Sequence, residues 1–137
     1  MTAALIAAAR RGVRVVALVP GKIDHNIVRE AGRRGFGRLF EAGIEIYEYR
    51  GALLHAKTMV VDGRIVTIGG TNLDNRSFSL DEELNLTVYD RAVARRMERI
   101  FAADLGHARR VTYEGWAHRG LKARLFERIA TPLESRL

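Results

Sequence analysis

Val13-Arg14-Val15-Val16-Ala17-Leu18-Val19, stopped at Pro20-Gly21, is a short β-branched run closed by turn residues. That is how a buried parallel strand reads. Ile44-Glu45-Ile46-Tyr47-Glu48-Tyr49 alternates apolar and polar side chains with period two and reads as a second strand. Between them Asp24 is placed to cap a helix from about His25 to Ala42 that closes at Gly43. This β-α-β run predicts an α/β fold, a mostly parallel or mixed sheet flanked by helices. Upstream, Thr2 to Arg11 reads as an Ala-rich helix with Thr2 as N-cap and its end at Gly12.

Downstream, two strands, about Ala56–Val61 and Arg64–Ile68, are joined by Asp62-Gly63, a strong two-residue hairpin signal. This hairpin organises the centre of the chain. A polar loop from Gly69 to Asp81 leads to a strand over Glu83–Tyr89. Asp90 then caps a helix to about Asp104, and a last helix spans about Glu114–Ala130. No linker, repeat or low-complexity segment interrupts the pattern, so residues 1–137 are expected to form one domain, with 105–137 a basic helical extension.

The 137 residues are 47% hydrophobic and 28% charged, a globular balance with enough chain for a core. Without cysteine there is no disulfide framework, thiolate metal site or cysteine nucleophile. No run of about 18 apolar residues occurs, so the sequence holds no membrane-spanning helix. The net charge of +7 favours anionic partners. It is unevenly spread: 9 basic and 5 acidic residues over 1–50, 3 and 6 over 51–90, and 11 and 5 over 91–137. Only Lys22, Lys57 and Lys122 are lysine among 23 cations, so arginine is the default here and each lysine is a mild hint of chemical need.

His55 and Lys57 are two apart, and the pleat sends both to the face of Met59 and Val61. A base and a fixed cation then stand together. Asp62 has the other parity and sits in the turn, which gives it an architectural role. Gly69-Gly70-Thr71-Asn72 follows the second strand at once. There glycines allow close backbone approach to an anion, and Asn72 offers two donors. In the later strand Glu83, Asn85 and Thr87 share one face, with Glu83 able to hold an imidazole in one tautomer, while Leu84, Leu86 and Val88 turn towards the core. Taken singly, each feature has a plainer reading: a structural histidine, a turn, a solvated acidic run. The remaining histidines, His25, His107 and His118, lack a partner at metal-ligand or motif spacing and read as surface residues.

Together, His55, Lys57, Asp62, Gly69, Gly70 and Asn72 spell H-x-K-x4-D-x6-G-G-x-N. This resembles the HKD motif of the phospholipase D superfamily. The continuation Asn72-Leu73-Asp74-Asn75-Arg76-Ser77-Phe78, then Glu83-Leu84-Asn85-Leu86, is similar to bacterial cardiolipin synthases, and nearly the whole chain is similar to the C-terminal half of such an enzyme. Two features depart from the pattern: Gly70 stands where the family usually has serine, and one motif is present where full-length members carry two.

The resemblance implies metal-free and cofactor-free phosphodiester exchange through a phosphohistidine. One histidine attacks phosphorus while a second, from another motif, moves the proton. His55 leans to the acid/base role. Lys57 and Asn72 would neutralise the non-bridging oxygens, and Glu83 would orient an imidazole. Asp62, Gly69 and Gly70 stay structural. The second motif comes from another copy or from an N-terminal half of a longer enzyme, since this sequence opens inside a helix where the family has a preceding strand.

The expected activity is cardiolipin formation from two molecules of phosphatidylglycerol. The expected location is the bacterial cytoplasmic membrane, peripherally. The C-terminal stripe of Trp116, Leu121, Leu125 and Ile129, with Arg119, Lys122, Arg124 and Arg128 elsewhere, can lie on anionic lipid; packing on the domain is its plainer use. A nuclease or other phosphodiesterase of the same superfamily is the alternative, weakened by the absence of an interleaved aromatic platform for bases. A catalytically incomplete lipid-binding fragment is the third.

Overall fold

The computed structural model describes residues 2–21, 35–70 and 84–118. Helix α1 (Thr2–Arg10) leads into strand β1 (Val16–Pro20), and helix α2 (Phe36–Glu41) into strand β2 (Glu45–Tyr49). β1 and β2 pair in parallel, from Val16 opposite Glu45 to Pro20 opposite Tyr49. They are the only parallel pair among the described residues, so the sheet character is mixed. Both helices stop in the same way. The amides of Gly12 and Val13 bond Ala9 O and Ala8 O, those of Gly43 and Ile44 bond Phe40 O and Leu39 O, and both glycines have positive φ, +92° and +81°. At the second helix this closure buries the apolar residue that follows, Ile44, whereas Val13 after the first stays exposed. Thr2, expected as N-cap, is instead the first residue of α1. Asp24 and the first part of the predicted second helix lie outside the described residues.

The period-two pattern of the second strand survives folding: Ile44, Ile46 and Glu48 are buried, and Glu45, Tyr47 and Tyr49 are half-buried. Ile6, Phe36, Ala42, Ile44 and Ile46 form the core, with Leu39, Phe40, Val111 and Trp116 packed on it. The 105–137 extension, expected to be helical, corrects in its described part. Ala108–Val111 is strand β6, antiparallel to β2, with Ile46 opposite Val111 and Tyr49 opposite Ala108. Its pairing satisfies the backbone groups that β2 would otherwise leave open. A short helix α4 (Tyr113–Ala117) follows, with Thr112 Oγ1 accepting from the Gly115 amide. Tyr113 and Trp116 stack tilted on each other, and both reach Phe40 of α2. The stripe beyond Trp116 lies outside the described residues.

A second sheet has the order β3-β4-β5, all antiparallel: β3 (Lys57–Val61), β4 (Ile65–Gly69) and β5 (Asn85–Tyr89). Asp62 and Gly63 carry φ of +50° and +60°, and Arg64 N bonds Val61 O, as a hairpin turn twisted with its strands demands. Helix α3 (Arg91–Gly106) packs on β3 and β4 and also touches β2 and β6, so it ties the two sheets together. Asp90 caps it, Oδ1 accepting from Ala92 N and Val93 N at 2.7 and 2.8 Å. Val66 and Ala94 are fully buried. The expectation that Leu84 and Leu86 face the core is overturned: they are 86% and 61% exposed. Among the described residues β5 is an edge strand, and of the expected core side only Val88 is partly covered.

Candidate active site

The connection from β2 to β3 delivers the base. Its start is fixed by Arg50 N, which bonds His107 O at 3.0 Å. Its end is Lys57, the first residue of β3. His55 lies in this connection, just ahead of the strand, and its exposed ring meets the lysine: Lys57 Nζ is 2.6 Å from His55 Nε2. An ammonium has donors and no acceptor, so the lysine donates, Nε2 holds the lone pair and the ring proton belongs on Nδ1. The pair therefore offers a neutral imidazole with its basic nitrogen at a fixed positive charge. That arrangement suits attack on, or proton exchange at, an anionic phosphorus centre.

Along the sheet, Lys57 stands opposite Gly69, and Gly69 opposite Asn85. The three form the last row of the sheet, and the ladder spacing puts Asn85 roughly 10 Å from Lys57. Gly69 ends β4 rather than following it. A Cβ there would strike the Asn85 side chain and come within 2.8 Å of Asn85 Cα, so β5 itself occupies the space the sequence reading reserved for an anion. Gly70 N is likewise engaged, bonding Leu84 O at 3.2 Å. These two glycines bring β5 close to the His55–Lys57 end. Asp62 is five residues beyond Lys57, roughly 17 Å along the strand, exposed and in the turn. Asn72 and Glu83 lie outside the described residues.

Asn85 is the polar residue that the sequence reading noted by parity but did not assign to the site; its row with Lys57 is what brings it in. The Thr67 and Thr87 hydroxyls, 3.5 Å apart, occupy the next row on the same face. His118 Nδ1 meets Glu114 O at 2.8 Å, and His107 closes α3; His25 lies outside the described residues. Among the described residues no group of three or more His, Asp or Glu side chains is gathered to hold a metal ion, and no helix is long and apolar enough to cross a membrane.

Comparison with known proteins identifies the relatives of the chain. The chain is 39% identical to cardiolipin synthase 2 of Staphylococcus epidermidis over 123 residues, covering 90% of this chain and 25% of the relative. It is 40% identical to cardiolipin synthase A of Erwinia tasmaniensis over 126 residues, 92% of this chain and 26% of the relative. The chain thus spans about a quarter of the length of these curated relatives. In three dimensions it is similar to the crystal structure of Nuc, a phospholipase D family member from Salmonella typhimurium. That match has a TM-score of 0.70 at 19% identity, covering 80% of this chain and 72% of the other, and it establishes the shared fold. Residues 1–105 match the family described as cardiolipin synthase, PLD-like domain, and the chain belongs to that family.

Proposed function

We propose that this chain is one catalytic half of a phosphatidyl transferase that forms cardiolipin from two phosphatidylglycerol molecules. The observation that carries the reading is the 2.6 Å contact between His55 Nε2 and Lys57 Nζ at the end of the hairpin. Family membership and relatives named cardiolipin synthase support it. In the first step a histidine nitrogen bonds to phosphorus, and the bond from phosphorus to the glycerol headgroup oxygen breaks. A second histidine gives its proton to that oxygen. In the second step the hydroxyl of another phosphatidylglycerol attacks the phosphohistidine, the N–P bond breaks, and the proton returns to the second histidine.

His55 takes the acid/base position: as the imidazolium it gives the proton in the first step, and the neutral ring that its contact with Lys57 describes takes the proton back in the second. Lys57 and Asn72 neutralise the non-bridging oxygens, Glu83 orients an imidazole, and Asp62, Gly69 and Gly70 hold the hairpin and its neighbour in place. Residues 1–137 act as one domain. The second motif comes from a second copy of the chain or from a preceding half, and the protein works peripherally at the cytoplasmic membrane.

The test is glycerol release from phosphatidylglycerol vesicles by the purified chain, at concentrations that favour pairing, against His55→Ala. Release that disappears in the variant supports the reading, and cardiolipin rather than phosphatidic acid as product identifies transfer rather than hydrolysis. Release that persists in His55→Ala overturns the assignment. No release from the folded chain overturns the self-sufficient homodimer.

A further inference from the structure

Gly69 leaves a space that a side chain of the next strand fills. A Cβ built at Gly69 would fall on Asn85 Oδ1, so the Asn85 side chain leans back across β4, on the face that Lys57 shares. Directly opposite residues of a ladder point to one face with their Cβ atoms about 5 Å apart, which puts the Asn85 amide roughly 5–7 Å from the Lys57 Cβ. The backbones of the two residues are two strand spacings apart, so glycine at 69 is what brings the amide near the lysine. Two residues further along the strands, roughly 7 Å, the Thr67 and Thr87 hydroxyls stand 3.5 Å apart on the same face. Asn85 and Thr87 are exposed and Thr67 is half-buried. Lys57 is the only charged residue among the described ladder residues of this face. The result is an uncharged polar strip that begins beside a single ammonium.

We propose that Asn85, with the Thr67–Thr87 hydroxyl pair behind it, is a subsite for the hydroxyl groups of an uncharged polyol esterified to the phosphate that Lys57 binds. The proposal rests on the reading of His55 and Lys57 as a phosphoryl-transfer pair, and it names the residues that choose the alcohol. A hydroxyl both donates and accepts, and so do the groups of this strip; an amide has two donors and two lone pairs, so it can be held within the chain and bind a ligand at once. An ammonium headgroup has a charge to neutralise and nothing here to neutralise it. On this face it meets the like charge of Lys57 and no carboxylate, and the aromatic ring of Tyr89 is four residues along β5 from Asn85, roughly 13 Å away. An alcohol without further hydroxyls leaves the amide and the threonines unmatched, which is how a polar subsite rejects an apolar ligand.

The experiment is titration of the full chain with two water-soluble diesters, glycerophosphoglycerol and glycerophosphocholine, and with inorganic phosphate, followed by amide 15N shifts. Wild type, Asn85→Leu and Thr87→Val are compared, and the melting temperature of each is measured. Expected are a preference of about fivefold or more for glycerophosphoglycerol in the wild type and loss of that preference in Asn85→Leu at unchanged phosphate affinity. The amides of Gly69, Asn85 and Thr87 should shift with glycerophosphoglycerol and not with phosphate. Thr87→Val should lower the preference by a smaller factor at an unchanged melting temperature. Equal binding of the two diesters by the wild type, or binding of neither, overturns the proposal, and so does a preference that Asn85→Leu retains. If Asn85→Leu melts lower than the wild type, Thr87→Val decides, and an unchanged preference there overturns the proposal. Glycerol release from phosphatidylglycerol vesicles is measured separately on the wild type. Preference without release keeps the subsite and removes the self-sufficient transferase; release without preference keeps the transferase and removes the subsite.

Discussion

Arg109 Nη2 reaches Glu48 Oε2 at 3.2 Å across the β2–β6 ladder, where the two residues are register partners. Glu48 is the buried acidic residue of the described chain, while the Arg109 side chain is more than half exposed. A carboxylate in that position needs its cation, and the cation does not need the carboxylate. The pair also stands near the C-terminal end of β2, two residues before the connection that carries His55.

Arg109→Gln should therefore destabilise more than Glu48→Gln. The first takes one cation from a buried carboxylate that keeps its other contacts, a cost of up to about 1–2 kcal/mol once solvent access at the arginine is allowed for. The second leaves an amide in the core and returns an arginine to water. Urea unfolding of the two variants checks the order; equal losses would mean that the ladder, and not the charge, holds β6 in place.

Gly69→Ala tests the close approach of β5. The added methyl meets backbone on the neighbouring strand, with Leu84 O 2.5 Å and Asn85 Cα 2.8 Å away, and backbone cannot rotate aside as a side-chain tip can. A cost of about 1–3 kcal/mol is expected. Faster amide exchange of Gly70, whose N–H bonds Leu84 O, should accompany it. Wild-type exchange at Gly70 would show that β5 accommodates the methyl without moving.

What could be read in advance was local. The Asp62-Gly63 turn, the Asp90 cap and the Gly43 helix end each depend on a few adjacent residues, and each stands where the sequence puts it. The His55–Lys57 pair was legible because spacing of two along extended chain fixes a shared side. β6 was not, because Ala108-Arg109-Arg110-Val111 becomes a strand only through its pairing with β2, some 60 residues earlier in the chain. Leu84 and Leu86 misled for a related reason: alternation tells which side a residue takes and not whether anything covers that side. The burial of Glu48 was available, since its parity matches Ile44 and Ile46, but a glutamate on a core face is recognised only when Arg109 is beside it. Asn72 and Glu83 lie outside the described residues and keep their sequence assignment as proposals.

Acid should weaken a different contact. Arg14 Nε lies 2.8 Å from Glu45 Oε1, and the hydrogen bond from that guanidinium holds the Glu45 carboxyl below its ordinary range. Burial opposes this, the arginine's charge reinforces it, and the Tyr47 hydroxyl, 3.2 Å from Oε2, adds a second donor. A carboxyl lowered on folding contributes stability that is complete above its unfolded value and lost as pH falls through the folded one. The stability difference between wild type and Arg14→Gln should be small but measurable at pH 7, and it should vanish through the acid limb just below the ordinary carboxylate range. Thermal melts of both proteins across that range check it, and a difference that persists in acid would assign the contact to packing instead of charge.

Lys57→Met separates the two things that the lysine does for His55. Methionine keeps much of the side-chain length and apolar contact but removes the ammonium that donates to Nε2. With the donor gone, nothing in the pair keeps the lone pair at Nε2, and the ring is free to carry its proton on either nitrogen. Imidazole 15N spectra should change from one dominated by Nδ1–H to a tautomer mixture, while the amide spectrum of β3 and β4 stays that of the wild type. In the proposed transferase role glycerol release should fall by about a hundredfold or more, because charge developing on the non-bridging oxygens loses the cation assigned to it. The two readouts divide the outcomes. A tautomer change with retained turnover would leave Lys57 as a positioning residue, and a loss of turnover with an unchanged ring would make the positive charge itself the contribution. Wild-type behaviour in both would remove the His55–Lys57 contact from the mechanism.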